Sequence, residues 1–372
     1  MGLKMKKVSV IIAAYNSEKS IGKVLDALDK QDYGNFEVIV VDDCSKDGTS
    51  EVVKKFKKFK LIRNKRNRGL SGSVNSGIRE SKGSIIMTLH DDSVPMSDTW
   101  MSDMVATFEM SSDIGIVSSD YVINFKGLSL ADKCFSFAYH LGEDMDLAKK
   151  EGVEDIETIS DKCDAYRRDV LEQVGLFDET FRNAGEDMDI SKKVKALGYR
   201  IVRNNRCKVE HRFTESKRER TIWDHFRKAF QITECSIYVL LRYGMMYKVD
   251  TLLFVLSSII CWAAPVLTLP FYIICILLNR AFSMFGILAF AAFYYLSPEL
   301  IRQPSLALII GLSYLLVKNF LKALRYLRKY RKFDLILPIW SFCLAWDIAS
   351  GLGWTVGILN FLKVESTSRF MR

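Results

Sequence analysis

Apolar positions near the start of the chain fall into short unbroken runs separated by amphipathic stretches. Residues Val8–Ala14 (VSVIIAA) form one such run, the pattern of a parallel strand covered on both faces. Ser17 can cap the next segment, where Ile21, Val24, Leu25 and Leu28 recur at helical spacing. Phe36–Val41 reads as a second strand ending in Asp42-Asp43, and Gly48-Thr49 opens a helix over 50–58. Lys60–Arg63 predicts a short strand, 70–81 a helix, and Ser84–Leu89 a buried strand ending at His90-Asp91-Asp92. Ser93, Ser97 and Asp98 ahead of Trp100-Met101 predict a further helix. Such alternation, with polar residues gathered at strand ends, is the doubly wound α/β pattern, whose ligands bind beyond the carboxyl ends of the strands. After about residue 120 the alternation loosens, which predicts a mixed sheet.

The last third reads differently. Residues 251–279 are an uncharged stretch, followed by shorter ones at 281–298 and 303–317. A crossing helix needs ~20 apolar residues, so the first is long enough and the others are marginal; two full crossings and a half-inserted segment are expected. Seven basic residues then cluster over 318–332, as beside a cytoplasmic leaflet. Trp223, Phe226 and Phe230 with Arg227 and Lys228 read as an amphipathic interface helix or an ordinary docking helix. The expected organisation is a catalytic domain over 1–212, interface helices over 213–249 and a membrane region over 250–372. That makes a multi-pass protein of the cell membrane with its catalytic domain in the cytoplasm.

Composition changes the picture in three places. An apolar content of 49% with 12% aromatic residues excludes a disordered chain. The net charge of +9 lies mostly in 251–372, where 12 Lys or Arg face four acids. It therefore points to anionic headgroups, and no nucleic-acid partner is expected. None of the eight cysteines lies in a C-x-x-C pair, which predicts reduced thiols and no structural zinc. The apolar run behind Lys4, Lys6 and Lys7 is too short for a secretory signal, so the chain is expected to start in the cytosol.

Three carboxylate groups are candidates for chemistry. Asp91-Asp92 at a strand end suits Mg²⁺ or Mn²⁺ shared with phosphates, or else caps the following helix. Asp43, Ser45, Asp47 and Gly48-Thr49 serve equally as a turn and cap or as ligand contacts. Glu186 and Asp187 open a helix, where the dipole favours them, yet a carboxylate there can also take a proton from an attacking hydroxyl. Neither G-x-x-x-x-G-K-[ST] nor G-x-G-x-x-G occurs.

Together, five motifs over about residues 7–211 resemble the inverting family-2 glycosyltransferases of the GT-A fold. They are VSVIIAAYN from Val8, VVDDCSKDGT from Val40, Asn67-Arg68-Gly69 with Asn75-Ser76-Gly77, His90-Asp91-Asp92, and GLFDE from Gly175 leading to Glu186-Asp187-Met188-Asp189. The resemblance implies a GT-A mixed sheet with a Rossmann-like nucleotide-binding half. Ala13 and Tyr15 would flank a nucleobase held by Asp43, with Asn16, Asn67, Gly69, Asn75 and Asp91 around the nucleotide. Asp92 would hold Mn²⁺ or Mg²⁺, with His211 a further metal or diphosphate contact or a structural histidine. Asp187 would be the base, with Glu186 beside it. His90 replaces the first Asp of the D-x-D motif; imidazole is a poorer ligand for Mg²⁺ than for Mn²⁺, which leaves the identity of the metal open. The implied activity is metal-assisted transfer from a nucleotide-diphosphate sugar, UDP-linked as first expectation, to a hydroxyl of a lipid-linked or polysaccharide acceptor at a membrane. Transfer to polyprenyl phosphate and a non-catalytic nucleotide-binding module are the alternatives. No Q-x-x-R-W follows residue 211, which argues against a processive synthase.

Overall fold

The computed structural model describes residues 6–123, 151–159, 163–181 and 184–212, with isolated positions further on. The chain divides into two compact units, one of Met1–Asp132 with Gly142–Arg220, the other of Lys133–Leu141 with Thr221–Arg372. The first unit carries the elements that follow.

The apolar run at the start forms β1 (Val8–Ala14) in the middle of a mixed sheet. On one side it pairs in parallel with β2 (Phe36–Asp42), which pairs with β3 (Lys60–Arg63). On the other side comes β4 (Ile85–His90), again parallel. The alternation then breaks as expected. β8 (Cys163–Arg167) runs antiparallel between β4 and β6 (Ile114–Val122), and β9 (Arg200–His211) lies parallel to β6. Two three-residue strands, β5 (Ser93–Pro95) and β7 (Val153–Asp155), pair antiparallel with β9.

Period-two alternation splits β1 between two cores. Val8, Val10 and Ile12 face α1 (Ile21–Asp29) and α4 (Trp100–Glu109), meeting Leu25, Leu28, Trp100 and Met104. Ile11 faces the other way, toward Val74 and Ile78 of α3 (Gly69–Arg79). The same core takes in Val170 and Leu171 of α5 (Arg168–Gln173) and Ile190 and Val194 of α6 (Glu186–Ala196). Full burial of such a side chain contributes roughly 1.5–3 kcal/mol. α3 also lies very close to the sheet. A Cβ at Gly77 would collide with Ile11 and sit 3.1 Å from Val41, so only glycine allows this approach. α2 (Thr49–Lys54) completes the layer around β2 and β3.

The membrane expectation is corrected here. Among the described residues no helix is long and apolar enough to cross a membrane. The longest, α3 and α6, have 11 residues each. At 1.5 Å per residue that is roughly 16 Å, about half of a ~30 Å hydrocarbon layer. The stretches 251–279, 281–298 and 303–317, the basic segment 318–332 and the segment around Trp223 lie outside the described residues, isolated positions apart. A C-terminal transmembrane region, membrane anchoring, a membrane partner and a multi-pass location accordingly drop out of the account. The α/β mixed sheet stands without them.

Candidate active site

The site grows from the carboxyl ends of β1, β2 and β4. Two turns there hold non-glycine residues in the left-handed region, Asn16 at φ 54° and Cys44 at φ 67°, a conformation costing about 1–2 kcal/mol for an L-residue. Hydrogen bonds hold both turns together. The Asn16 amide donates to Ser45 Oγ at 3.0 Å, and the Lys46 amide donates to Asn16 Oδ1 at 2.8 Å. The Ser17 amide donates to Thr49 Oγ1 at 2.8 Å. Ala13 is half-buried just before this turn and Tyr15 is exposed on it, open to a planar ligand.

Asp43 is buried and organises the segment leading into α3. Its Oδ1 accepts from Asn64 Nδ2 and from the Arg68 amide, both at 2.8 Å, and its Oδ2 accepts from the Gly69 amide at 2.9 Å. Asn67 reinforces the loop, accepting from the Gly69 amide and donating to the Asp43 carbonyl. A nucleobase N–H would have to share a carboxylate already occupied by this loop. Beneath it Asp42 is fully buried. Burial raises its pKa, but hydrogen bonds from Ser45 and Ser50, with the Arg63 charge, outweigh burial and hold the carboxyl below its ordinary value.

Asn75 sits elsewhere than expected. It is buried in α3, donating to the Phe177 carbonyl at 2.8 Å and accepting from the Phe177 amide at 3.1 Å. It also contacts Glu179, which pairs with Arg68 at 2.7 Å. Asn75 therefore ties the loop after α5 to α3 and carries the β2 side of the site to the α6 side. Glu179, in the run Phe177-Asp178-Glu179, joins this bridge only through the fold, since 111 positions separate it from Arg68.

The strand-end acids diverge in role. Asp91 accepts from the Ser17 hydroxyl and, at 3.4 Å, from the Tyr15 amide, so it supports the loop that carries Tyr15. Asp92 is 6% exposed and faces His211, whose Nε2 lies 3.4 Å from its Oδ1. The pairing of β5 with β9 makes this contact: Ser93 is in register with His211, and the Arg212 amide donates to the Asp92 carbonyl at 2.7 Å. Residues 119 positions apart are thereby locked together.

Glu186 and Asp187 open α6 behind Gly185, whose φ of 97° suits glycine. Both line a narrow cleft with Ser71, Thr88, His90 and Tyr166. Glu186 is buried, whereas Asp187 is half-buried, with Oδ1 accepting from the Met188 amide at 2.8 Å. The helix is anchored from below by Asp189, which is buried and pairs with Lys193 at 2.6 Å.

Among the described residues no three His, Cys, Asp or Glu side chains gather as a metal cage. The pair Asp92 and His211 nevertheless fits an ion shared with a ligand. Adjacent ligands of an octahedral ion bound at ~2.1 Å are about 3 Å apart, close to the 3.4 Å seen. Two protein ligands also leave positions for phosphate oxygens.

Known proteins agree with this architecture. Residues 9–175 match the family model described as glycosyl transferase family 2. The poly-beta-1,6-N-acetyl-D-glucosamine synthase of Staphylococcus epidermidis is 27% identical over 198 residues, 52% of this chain and 47% of that protein. Glycosyltransferase AglE of Haloferax volcanii is 28% identical over 202 residues, 52% of this chain and 63% of its own length. The match thus spans about half of the synthase and under two thirds of AglE. Among solved structures, the mannosyltransferase PcManGT from Pyrobaculum calidifontis, in complex with GDP-Man and Mn²⁺, aligns with a TM-score of 0.56 at 18% identity. The alignment covers 95% of this chain and 88% of that one, and speaks for the fold.

Proposed function

We propose that this chain, whose N-terminal half is a family-2 glycosyltransferase domain, moves a sugar from a nucleoside-diphosphate donor to a hydroxyl of a glycan acceptor. The observation that carries the reading is one cleft wall. His90, at the end of β4 and two residues before Asp92, lines the same cleft as Glu186 and Asp187. The strand end that leads to Asp92 and a group that takes a proton thus border one space.

Tyr15 and Ala13 offer a platform for the base, and the Asp43-organised loop shapes its edge. Asp92 and His211 would hold a divalent cation, Mn²⁺ being the better match to an imidazole ligand. That ion, when bound, supplies positive charge for the departing diphosphate. Asp187, the more accessible of the pair, accepts the proton of the attacking hydroxyl, and Glu186 lies beside it at the buried end of the cleft. Attack opposite the leaving group inverts the anomeric centre in one displacement.

The test is a panel of nucleotide sugars, UDP-linked first, offered with Mn²⁺ and neutral oligosaccharides. Nucleotide release with a product of inverted anomeric configuration by NMR supports the reading. Retained configuration, or no release with any donor, refutes it.

A further inference from the structure

One carboxylate beside the cleft gathers three side chains from α3 and its cap. Glu179 lies in the segment after α5, where Gly175 and Leu176 take φ of 82° and 65°. Leucine enters the left-handed region only against a steric cost. The turn is held by the Leu176 amide, which donates to the Leu171 carbonyl at 3.0 Å, and by the two bonds of Asn75 to Phe177. Onto Glu179 converge Arg68 Nη2, donating to Oε2 at 2.7 Å, and Asn75 Nδ2, donating to Oε1 at 3.2 Å. Arg79 Nη2 lies 3.6 Å from the same Oε1. Further along, the Ser71 hydroxyl donates to the Phe181 carbonyl at 2.8 Å. Ser71 and Phe177 themselves line the cleft with Asp187.

Arg68 reaches Glu179 because Gly72 leaves it room. A Cβ at Gly72 would stand 2.8 Å from Arg68 Cβ, 3.3 Å from its Nε and 3.4 Å from Glu179 Oε2. The guanidinium instead folds back along α3, donating also to Ser76 Oγ at 3.0 Å. Both side chains of the ion pair are more than a third open to water, 34% and 38%, and such pairs add little stability. Geometry is what the pair fixes. The Arg68 amide donates to Asp43 in the nucleotide loop, while Glu179 precedes Asp187 by eight residues. Arg68 thus holds the nucleotide loop with its main chain and the segment leading to the base with its side chain.

We propose that Glu179, acting through Arg68, is a positioning residue for the transfer, setting where the Asp187 carboxylate stands relative to the bound donor. The inference rests on the transferase reading and deepens it. A misplacement of ~1 Å, even from a change far from the chemistry, costs about 10²-fold in rate. Among the described residues Glu179 does not line the cleft, so its loss falls on turnover and not on donor affinity.

The experiment uses the full chain, with UDP and Mn²⁺ as the binding probe and UDP-N-acetylglucosamine with N,N′-diacetylchitobiose as the turnover probe. Glu179→Gln, Gly72→Ala and the double variant are compared with the wild type. Each single variant should lower kcat by roughly 10- to 100-fold, while donor KM and UDP affinity by calorimetry keep their wild-type values. The double variant should lose no more than either single one, because both break the same link. Amide hydrogen exchange in the first turn of α6 should quicken in all three, with β1 and β4 unchanged. A carboxylate that only adds stability would lower Tm and leave the kcat of folded enzyme intact. Where Glu179→Gln fails to fold, Gly72→Ala breaks the link from the Arg68 side. Unchanged kcat, additive losses in the double variant, or unaltered exchange in α6 overturns the inference. Failure of the wild type to bind UDP overturns the transferase reading instead. Where the wild type binds UDP without turning over this donor, the exchange comparison decides the link.

Discussion

Asp92 and His211 face each other with 3.4 Å between Oδ1 and Nε2, held there by the pairing of two strand ends rather than by sequence proximity. Each should contribute to holding a divalent ion beside a diphosphate. Asp92→Asn and His211→Ala are each expected to weaken Mn²⁺-dependent UDP binding by roughly one to two orders of magnitude, the scale of losing one ligand or its support. Calorimetry with and without Mn²⁺ measures this. Equal losses in the absence of metal would assign the pair a structural role.

Asp43 spends its carboxylate on the amides of Arg68 and Gly69 and on Asn64. Asp43→Ala strands those donors and should destabilise the domain by about 3 kcal/mol, since charge-assisted bonds are worth ~1.5–3 kcal/mol each and part is recovered by water. Urea unfolding gives the value. Nucleotide affinity should fall in parallel, because the loop that frames the base loses its organiser.

Acid sensitivity follows from Asp42 and Glu179. Burial raises both, but at Asp42 the Ser45 and Ser50 bonds, and at Glu179 the Arg68 and Asn75 bonds, outweigh it and lower the pKa. A carboxyl depressed on folding stabilises the protein above its unfolded-state value, ~4, and loses that contribution as pH falls through the folded value. Stability should therefore drop on acidification below about pH 4. Asp42→Asn should be less stable at neutral pH with a shallower acid limb, read from urea midpoints across pH.

Gly77 marks the closest approach of α3 to the sheet, where an added methyl meets Ile11 and Val41. Despite alanine's higher helix propensity, Gly77→Ala should lower stability by about 1–3 kcal/mol, the cost of overpacking a filled core. A stabilised variant in thermal unfolding would show that the helix can retreat freely.

The sequence made the first half of the fold legible because β1, β2 and β4 are continuous apolar runs between amphipathic helices. The same logic located the turns carrying Tyr15, Asp43 and Asp92, since polar residues at strand ends stand out against apolar strands. It could not show that Asp91 turns back to support the Ser17 turn, or that Asn75 bonds to Phe177, because both contacts link residues more than 70 positions apart. Asp164 and Asp120 escaped notice for another reason. Each sits in a strand too mixed to reveal its facing; the register of β8 with β6 sets Asp164 beside buried Ser118, and Asp120 lies two residues further along β6, in register with Lys208. The expected C-terminal spans came from hydropathy alone, and the described helices provide none.

The most direct measurement compares two properties of Asp187→Asn: affinity for UDP with Mn²⁺ by calorimetry, and the rate of nucleotide release from a productive donor in the presence of an acceptor. Wild-type affinity is expected, with turnover lowered by about 10²- to 10⁴-fold, the share of a positioned general base. Turnover at the wild-type rate with intact binding would contradict it.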